Sequence, residues 1–256
     1  MAIQGLPAEG RELAGQVALV TGGAKNIGRA ISLALAHAGA AVAVNTLRSR
    51  EDAAAVVHQI RAAGGDAEVF TADIADAAAV RAMGEGVMKR FGKIDILVLN
   101  ASQRREVLFK DMTFEEWRNT MSITLDGSFH CIKACLPSML AKRSGNIVTL
   151  GGDSVLLGGN RKAHNTTAKN GLVGLTRALA KELAEDGIRV NCVSPGSINT
   201  ERPAHRSALM DPKKIPLGRW GESEEIAAVV RFLCGPGGGF ITGQTIHVNG
   251  GDLIFA

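Results

Sequence analysis

A chain of 256 residues with 46% hydrophobic content is long enough to bury one full α/β core, and a net charge of +4 spread along the chain is too small and dispersed to predict nucleic-acid binding. The first fifteen residues carry acids and lack an apolar run, and no stretch approaches the roughly 18 apolar residues of a membrane span, so a cytoplasmic protein that spans no membrane is expected. The four cysteines form no CxxC pair; Cys131 and Cys135, one helical turn apart among apolar neighbours, read as buried thiols rather than as ligands of a metal.

In chain order, short β-branched runs at 17–20, 41–44, 68–70, 94–99, 146–150, 189–193 and 245–248 alternate with Ala-rich helical stretches at 29–38, 51–63, 77–91, 114–142, 167–185 and 224–233. Each strand is apolar almost throughout, which requires burial on both faces. The pattern therefore predicts α/β architecture: a seven-stranded parallel, doubly wound sheet with helices on both faces. Thr113 with Glu116 makes a capping box for the fourth helix, and Gly39, Gly64, Gly92 and Gly187 follow helix ends. No linker interrupts the chain, so one domain over 1–256 is expected, with a dinucleotide-binding half at about 1–150 and a substrate half at 151–256. Residues 200–220, rich in Pro and charge, are either a surface loop or a lid.

Directly after the first strand stands Thr21-Gly22-Gly23-Ala24-Lys25-Asn26-Ile27-Gly28, and a helix follows. A glycine turn between a strand and a helix N-terminus is an anion site, because unpaired N–H groups and the helix dipole point toward a pyrophosphate. The second strand runs out through Asn45, Thr46 and Leu47 to Arg48 without the acid that would bind a ribose 2′-hydroxyl. Arg48 can instead meet a 2′-phosphate, which favours NADP(H) over NAD(H). Arg104 with Arg105, and Arg161 with Lys162, form basic pairs expected near the mouth of the site, where they either attract an acidic or acyl-thioester substrate or sit solvated at the surface.

These segments, in this order, resemble the short-chain dehydrogenase/reductase family and its 3-oxoacyl-acyl-carrier-protein-reductase-like members, over nearly the whole chain. The family's turn reads TGxxxGxG, and here Asn26 replaces the middle glycine; Asn tolerates positive φ, so the turn is expected to keep its shape. The resemblance implies a Rossmann-type fold and a nicotinamide dinucleotide held by Thr21, Gly22, Lys25, Asn26, Ile27 and Gly28. It implies an adenine contact at Asp73 and Ile74, and further contacts at Asn100 and Ala101. It adds a nicotinamide-side segment of Pro195, Gly196, Ile198 and Thr200. Lys25 matches a basic residue of NADP-using members. Gly243, Gln244 and residues 248–251 match a segment that packs in a homo-oligomer, so a dimer or tetramer is implied.

The family's catalytic pattern is Tyr-x-x-x-Lys with an upstream Ser and a helix Asn. Matching its lysine to Lys169 puts Asn165 at the tyrosine, Gly152 at the serine and Thr124 at the asparagine, and the chain contains no tyrosine at all. Lys169 is then expected to hold the ribose, while Asn165 can polarise a carbonyl but cannot protonate it. His164 and Asp153 are the candidate substitute acids beside it. Three functions stay open: an NADP(H)-linked oxidoreductase acting on a carbonyl or hydroxyl compound with weakened proton donation, a dinucleotide-binding protein without turnover, and a non-redox acid–base enzyme.

Overall fold

The computed structural model describes residues 10–103, 105–200 and 212–254. Its strands are β1 (Val17–Val20), β2 (Ala41–Thr46), β3 (Ala67–Thr71), β4 (Ile96–Leu99), β5 (Gly145–Leu150), β6 (Ile188–Pro195), β7 (Ile198–Asn199), β8 (Gly221–Glu222) and β9 (Thr245–Val248). Seven of them pair in parallel as β3-β2-β1-β4-β5-β6-β9, so each apolar run of the sequence supplies one strand. The short β7 and β8 pair separately. Among the described residues no helix is long and apolar enough to cross a membrane.

The helices are α1 (Asn26–His37), α2 (Arg50–Ala62), α3 (Ala77–Phe91), α4 (Phe114–Met121), α5 (Gly127–Lys142), α6 (Ser154–Leu157), α7 (Ala163–Glu182) and α8 (Ser223–Cys234). Alternate side chains of a strand face opposite ways, and the core divides accordingly. Ala18, Val20, Val42, Val44, Ile96 and Val98 pack against Ile31 and Leu35 of α1, Val56 and Ile60 of α2 and Ile226 and Val230 of α8. Leu19, Ala43, Leu97 and Leu99 meet Val80 and Val87 of α3 and Cys131, Cys135 and Met139 of α5 on the other face. All four cysteines are buried free thiols.

Most element boundaries differ from the sequence expectation by one to four residues, and three of the differences have a local structural consequence. The strand expected from 94 starts at Ile96, because Asp95 turns its carboxylate to accept the Val17 N–H at 2.8 Å. The helix expected over 114–142 is interrupted at Ser122–Asp126 by a π-helical segment, a local widening of the hydrogen-bond ladder that periodicity does not encode. The helix expected from Thr167 begins one turn earlier, at Ala163, so Thr167 is not its cap. The capping box at Thr113 and Glu116 forms as expected. Of residues 200–220, 201–211 lie outside the described residues; Pro212–Lys214 form a 3₁₀ turn.

β1 and β4 are neighbours although β2 and β3 separate them in sequence, so the winding of the sheet reverses between them. The loops leaving the C-terminal ends of β1 and β4 must diverge to opposite faces, and a crevice opens at that point.

Candidate active site

A cleft of about 1190 Å³ occupies this crevice and runs from the glycine turn to Lys169. Its floor is the β1–α1 turn. Gly22 has φ +61 and Asn26 φ +48, so Asn26 adopts the left-handed conformation that the replaced glycine would adopt freely. Helix α1 approaches so closely that a Cβ on Gly28 would lie 2.1 Å from the Gly22 carbonyl oxygen. Lys25, Asn26, Ile27 and Gly28, at the N-terminus of α1, all line the cleft.

Thr21 does not line it. The residue is fully buried, with its hydroxyl donating to the Val98 carbonyl (3.2 Å) and accepting from the N–H groups of Asn100 and Ala101 (3.0 and 3.1 Å). Thr21 thus joins β1 to β4 and acts on the turn from behind. Asn100 completes the join, its Nδ2 donating to the Thr21 and Gly22 carbonyls at 3.0 Å each, while Asn100 and Ala101 border the cleft.

At the end of β2, Asn45 is spent on structure: Nδ2 donates to the Phe70 and Ala72 carbonyls at 3.2 Å, and Oδ1 accepts from the Gly22 N–H at 3.4 Å. Arg48 follows on the cleft wall. Lys25 pairs with Asp52 of α2 at 3.0 Å, with both side chains about half exposed, a contact the sequence reading did not find. Asp73 and Ile74 line the cleft, and Asp73 Oδ1 also accepts the Ala75 N–H at 2.9 Å. Pro195, Gly196, Ile198 and Thr200 form the wall beyond β6. A Cβ on Gly196 would lie 2.6 Å from Asn249 Cα, so this turn too requires glycine.

On the opposite side, Asn165 and Lys169 lie one turn apart on α7 and both face the cleft. Lys169 is 7% exposed, and its Nζ donates to the Gly151 carbonyl at the end of β5. Asn165 Nδ2 donates to the Gln103 carbonyl at 2.8 Å, while Gln103 Oε1 accepts from Asn119 Nδ2 at 2.8 Å. Gln103 and Asn119 also line the cleft and were not singled out in the sequence.

His164 is a correction. Successive helical residues point about 100° apart, so with Asn165 and Lys169 on the cleft face His164 faces elsewhere. It is fully buried, does not line the cleft, and neither ring nitrogen has a hydrogen-bond partner. Burial lowers its pKa, Glu116 opposes that shift and Arg105 adds to it. Thr124 sits in the π-helical segment, also buried and away from the cleft; its neighbour Ile123 borders it instead.

Asp153 does line the cleft, at 8% exposure. Its N–H donates to the Pro195 carbonyl at 3.2 Å, and Oδ1 lies 3.5 Å from Nδ1 of His247 on β9. Burial raises its pKa, and His247 opposes the rise. His247 is 94 residues away in sequence and nothing local marks it. At the mouth, Arg105 pairs with Glu116 at 2.8 Å and Lys162 with Glu106 at 3.7 Å, so nearby acids offset part of the expected basic rim. Arg161 lines the cleft, and Arg104 lies outside the described residues.

The family described as Enoyl-(Acyl carrier protein) reductase matches residues 22–252. The 3-oxoacyl-(acyl-carrier-protein) reductase FabG of Staphylococcus aureus (strain Mu50) is 43% identical over 240 residues, covering 91% of this chain and 96% of that protein. Its namesake from Escherichia coli (strain K12) is 37% identical over 243 residues, covering 93% and 97%. Among solved structures, a dehydrogenase/reductase from Sinorhizobium meliloti 1021 superposes with a TM-score of 0.87 at 34% identity, covering 94% of this chain and 96% of that one. A short chain dehydrogenase from Burkholderia cenocepacia J2315, in complex with NADP, gives 0.87 at 34% identity, with 94% and 99% covered. Likeness in sequence and in sheet over nine-tenths of the chain has one reading: the chain belongs to the short-chain dehydrogenase/reductase family.

Proposed function

We propose that this protein binds NADP(H) along the cleft and moves hydride between it and a carbonyl or hydroxyl substrate, with no phenol to donate the proton. The observation that carries the reading is the continuity of the cleft from the Gly22–Gly28 turn to Lys169. The turn fits a pyrophosphate: Asn26 takes the left-handed backbone, Gly28 leaves the close approach open, and the α1 N-terminus faces the space. The dinucleotide, when bound, would supply or accept the hydride.

The residue roles follow from placement. Lys25, Asn26, Ile27 and Gly28 hold the phosphates, with Thr21 and Asn100 fixing the turn. Asp73 and Ile74 border the adenine, Pro195, Gly196, Ile198 and Thr200 the nicotinamide, and Lys169 the ribose. No acid ends β2, and Lys25 and Arg48 both border the cleft there, which supports the 2′-phosphate of NADP(H); the phosphate would compete with Asp52 for Lys25. The B. cenocepacia neighbour's NADP complex supports the same choice. Asn165 can orient and polarise a carbonyl, but a missing general acid costs about 10²–10⁴ in rate, so slow turnover is expected. The relatives' names and the Arg105, Arg161 and Lys162 rim favour an acyl-thioester or other acidic substrate. One domain over 1–256, a cytoplasmic location and a homo-oligomer complete the proposal; both halves of the chain contribute strands to the same sheet.

Titration with NADPH and NADH by fluorescence, paired with a turnover screen over carbonyl compounds, tests this. NADPH binding tighter than NADH, with slow oxidation, is expected; absence of NADPH binding overturns it. A second reading, binding without turnover, is favoured by the absence of any tyrosine and by the tie between Asn165 and the Gln103 carbonyl. Tight binding with no oxidation on any substrate selects it.

A further inference from the structure

Hydride transfer to a carbonyl leaves an alkoxide that needs a proton, and neither Asn165 nor fully buried His164 can provide it at the cleft. We propose that Asp153 and His247 act as one proton-holding couple at the cleft wall, with Asp153 as the catalytic acid and base and His247 as the positioning residue that recharges it. This rests on the reading of the cleft as a hydride-transfer site.

Three observations carry it. Asp153 lines the cleft between Gly152, which neighbours Lys169, and the Pro195-Gly196 turn, where the nicotinamide is proposed to lie. One carboxylate oxygen lies 3.5 Å from the His247 imidazole, and the other is buried. Burial favours the protonated carboxyl, because it penalises the charged form. The groups facing Asp153 are His247 of β9, with Asn249 and Asp252 just after it, and Lys169 of α7 on the Gly152 side. Burial raises the Asp153 pKa, His247 and a side-chain hydrogen bond from Asn249 lower it, and Asp252 raises it.

In the reducing direction, a hydride that the bound dinucleotide would supply bonds to the carbonyl carbon, and the π electron pair moves to oxygen. That oxygen bonds the Asp153 proton and becomes a hydroxyl. The remaining carboxylate takes a proton from the protonated His247 imidazole, which is reprotonated by hydronium with release of water. Oxidation runs the same transfers in reverse.

The test uses Asp153→Asn and His247→Gln in the full chain. The pH profile of kcat is recorded for each, alongside NADPH affinity by fluorescence. Asp153→Asn is expected to lower kcat by about a hundredfold or more. NADPH affinity should stay within about twofold, since the proposed dinucleotide contacts are other residues. His247→Gln is expected to shift the alkaline limb of the reduction profile, where the acid loses its proton, with a smaller loss of kcat. An unchanged kcat in Asp153→Asn, or an unchanged pH profile in both variants, overturns the couple. Wild-type protein that binds NADPH but turns over no substrate overturns the hydride-transfer reading, and the acid–base role with it.

Discussion

Replacing Gly28 by Ala asks whether the turn is as tightly built as its geometry requires. The added Cβ would lie 2.1 Å from the Gly22 oxygen and 2.6 Å from Asn100 Nδ2, whereas ordinary contact begins at 3.4 Å. The first contact must therefore open by about 1.3 Å, the difference between those two distances. Backbone stands on one side and the start of α1 on the other, so no side chain can simply rotate away. Opening pulls Asn100 Nδ2 from the Thr21 and Gly22 carbonyls, both now 3.0 Å away. Overpacking costs about 1–3 kcal/mol and each lost buried hydrogen bond about 1 kcal/mol, so a loss of roughly 3 kcal/mol is expected. At this chain length that lowers Tm by about 6–12 °C. NADPH affinity should fall more than about tenfold, because the displaced N–H groups are the proposed phosphate donors. Differential scanning fluorimetry and NADPH fluorescence titration measure both. Gly174→Ala is the control: it lies within α7 with nothing within 4 Å of the new Cβ, so helix propensity should stabilise it by up to about 1 kcal/mol. Gly28→Ala melting and binding NADPH like the unsubstituted protein would refute the reasoning.

Three further outcomes are expected. Burial pushes the Cys131 and Cys234 thiols up to about 12 and raises Cys135 and Cys192 as well, so iodoacetamide at pH 8 should modify none of the four in native protein and all four in guanidinium. Mass spectrometry of the alkylated protein decides this. The Arg219 guanidinium, with the Glu222 N–H, holds the Glu225 carboxyl down at about 2, below its unfolded value of about 4.3. Its stabilisation is present above the unfolded value and is lost as pH falls toward 2, so the Tm deficit of Glu225→Gln should be larger at pH 6 than at pH 3; a deficit constant across that range counts against the pairing. Asn165→Tyr with Gly152→Ser should raise ketone turnover by about 10²-fold or more if a missing phenol limits the rate. Space is not the obstacle at Gly152, where a Cβ would be 3.6 Å from Lys169 Nζ, but its φ of +156 obliges the backbone to shift for serine. Turnover that stays flat, with the double variant folded and binding NADPH, would show that something other than the missing phenol limits the rate.

Much of the fold was legible because its signals are local. An apolar run between glycine-ended helices has to be a buried strand, and alternation of such runs with helices has few packings. Gly22, Asn26 and Gly28 could likewise be read as a turn, since a positive φ and a close backbone approach each select a residue type in place. Asn165 and Lys169 shared a face because helical spacing put them there. Side-chain direction and long-range pairing were decided only by the tertiary structure. The sequence left both His164 and Asp153 as candidates, yet the start of α7 at Ala163 and the packing of its far side bury the one, while the turn after β5 leaves the other on the cleft. The same holds for His247 beside Asp153, Asp52 beside Lys25 and Gln103 beside Asn165. Each pair comes together only when the sheet sets strands or loops distant in sequence side by side, and no periodicity within one element carries that information.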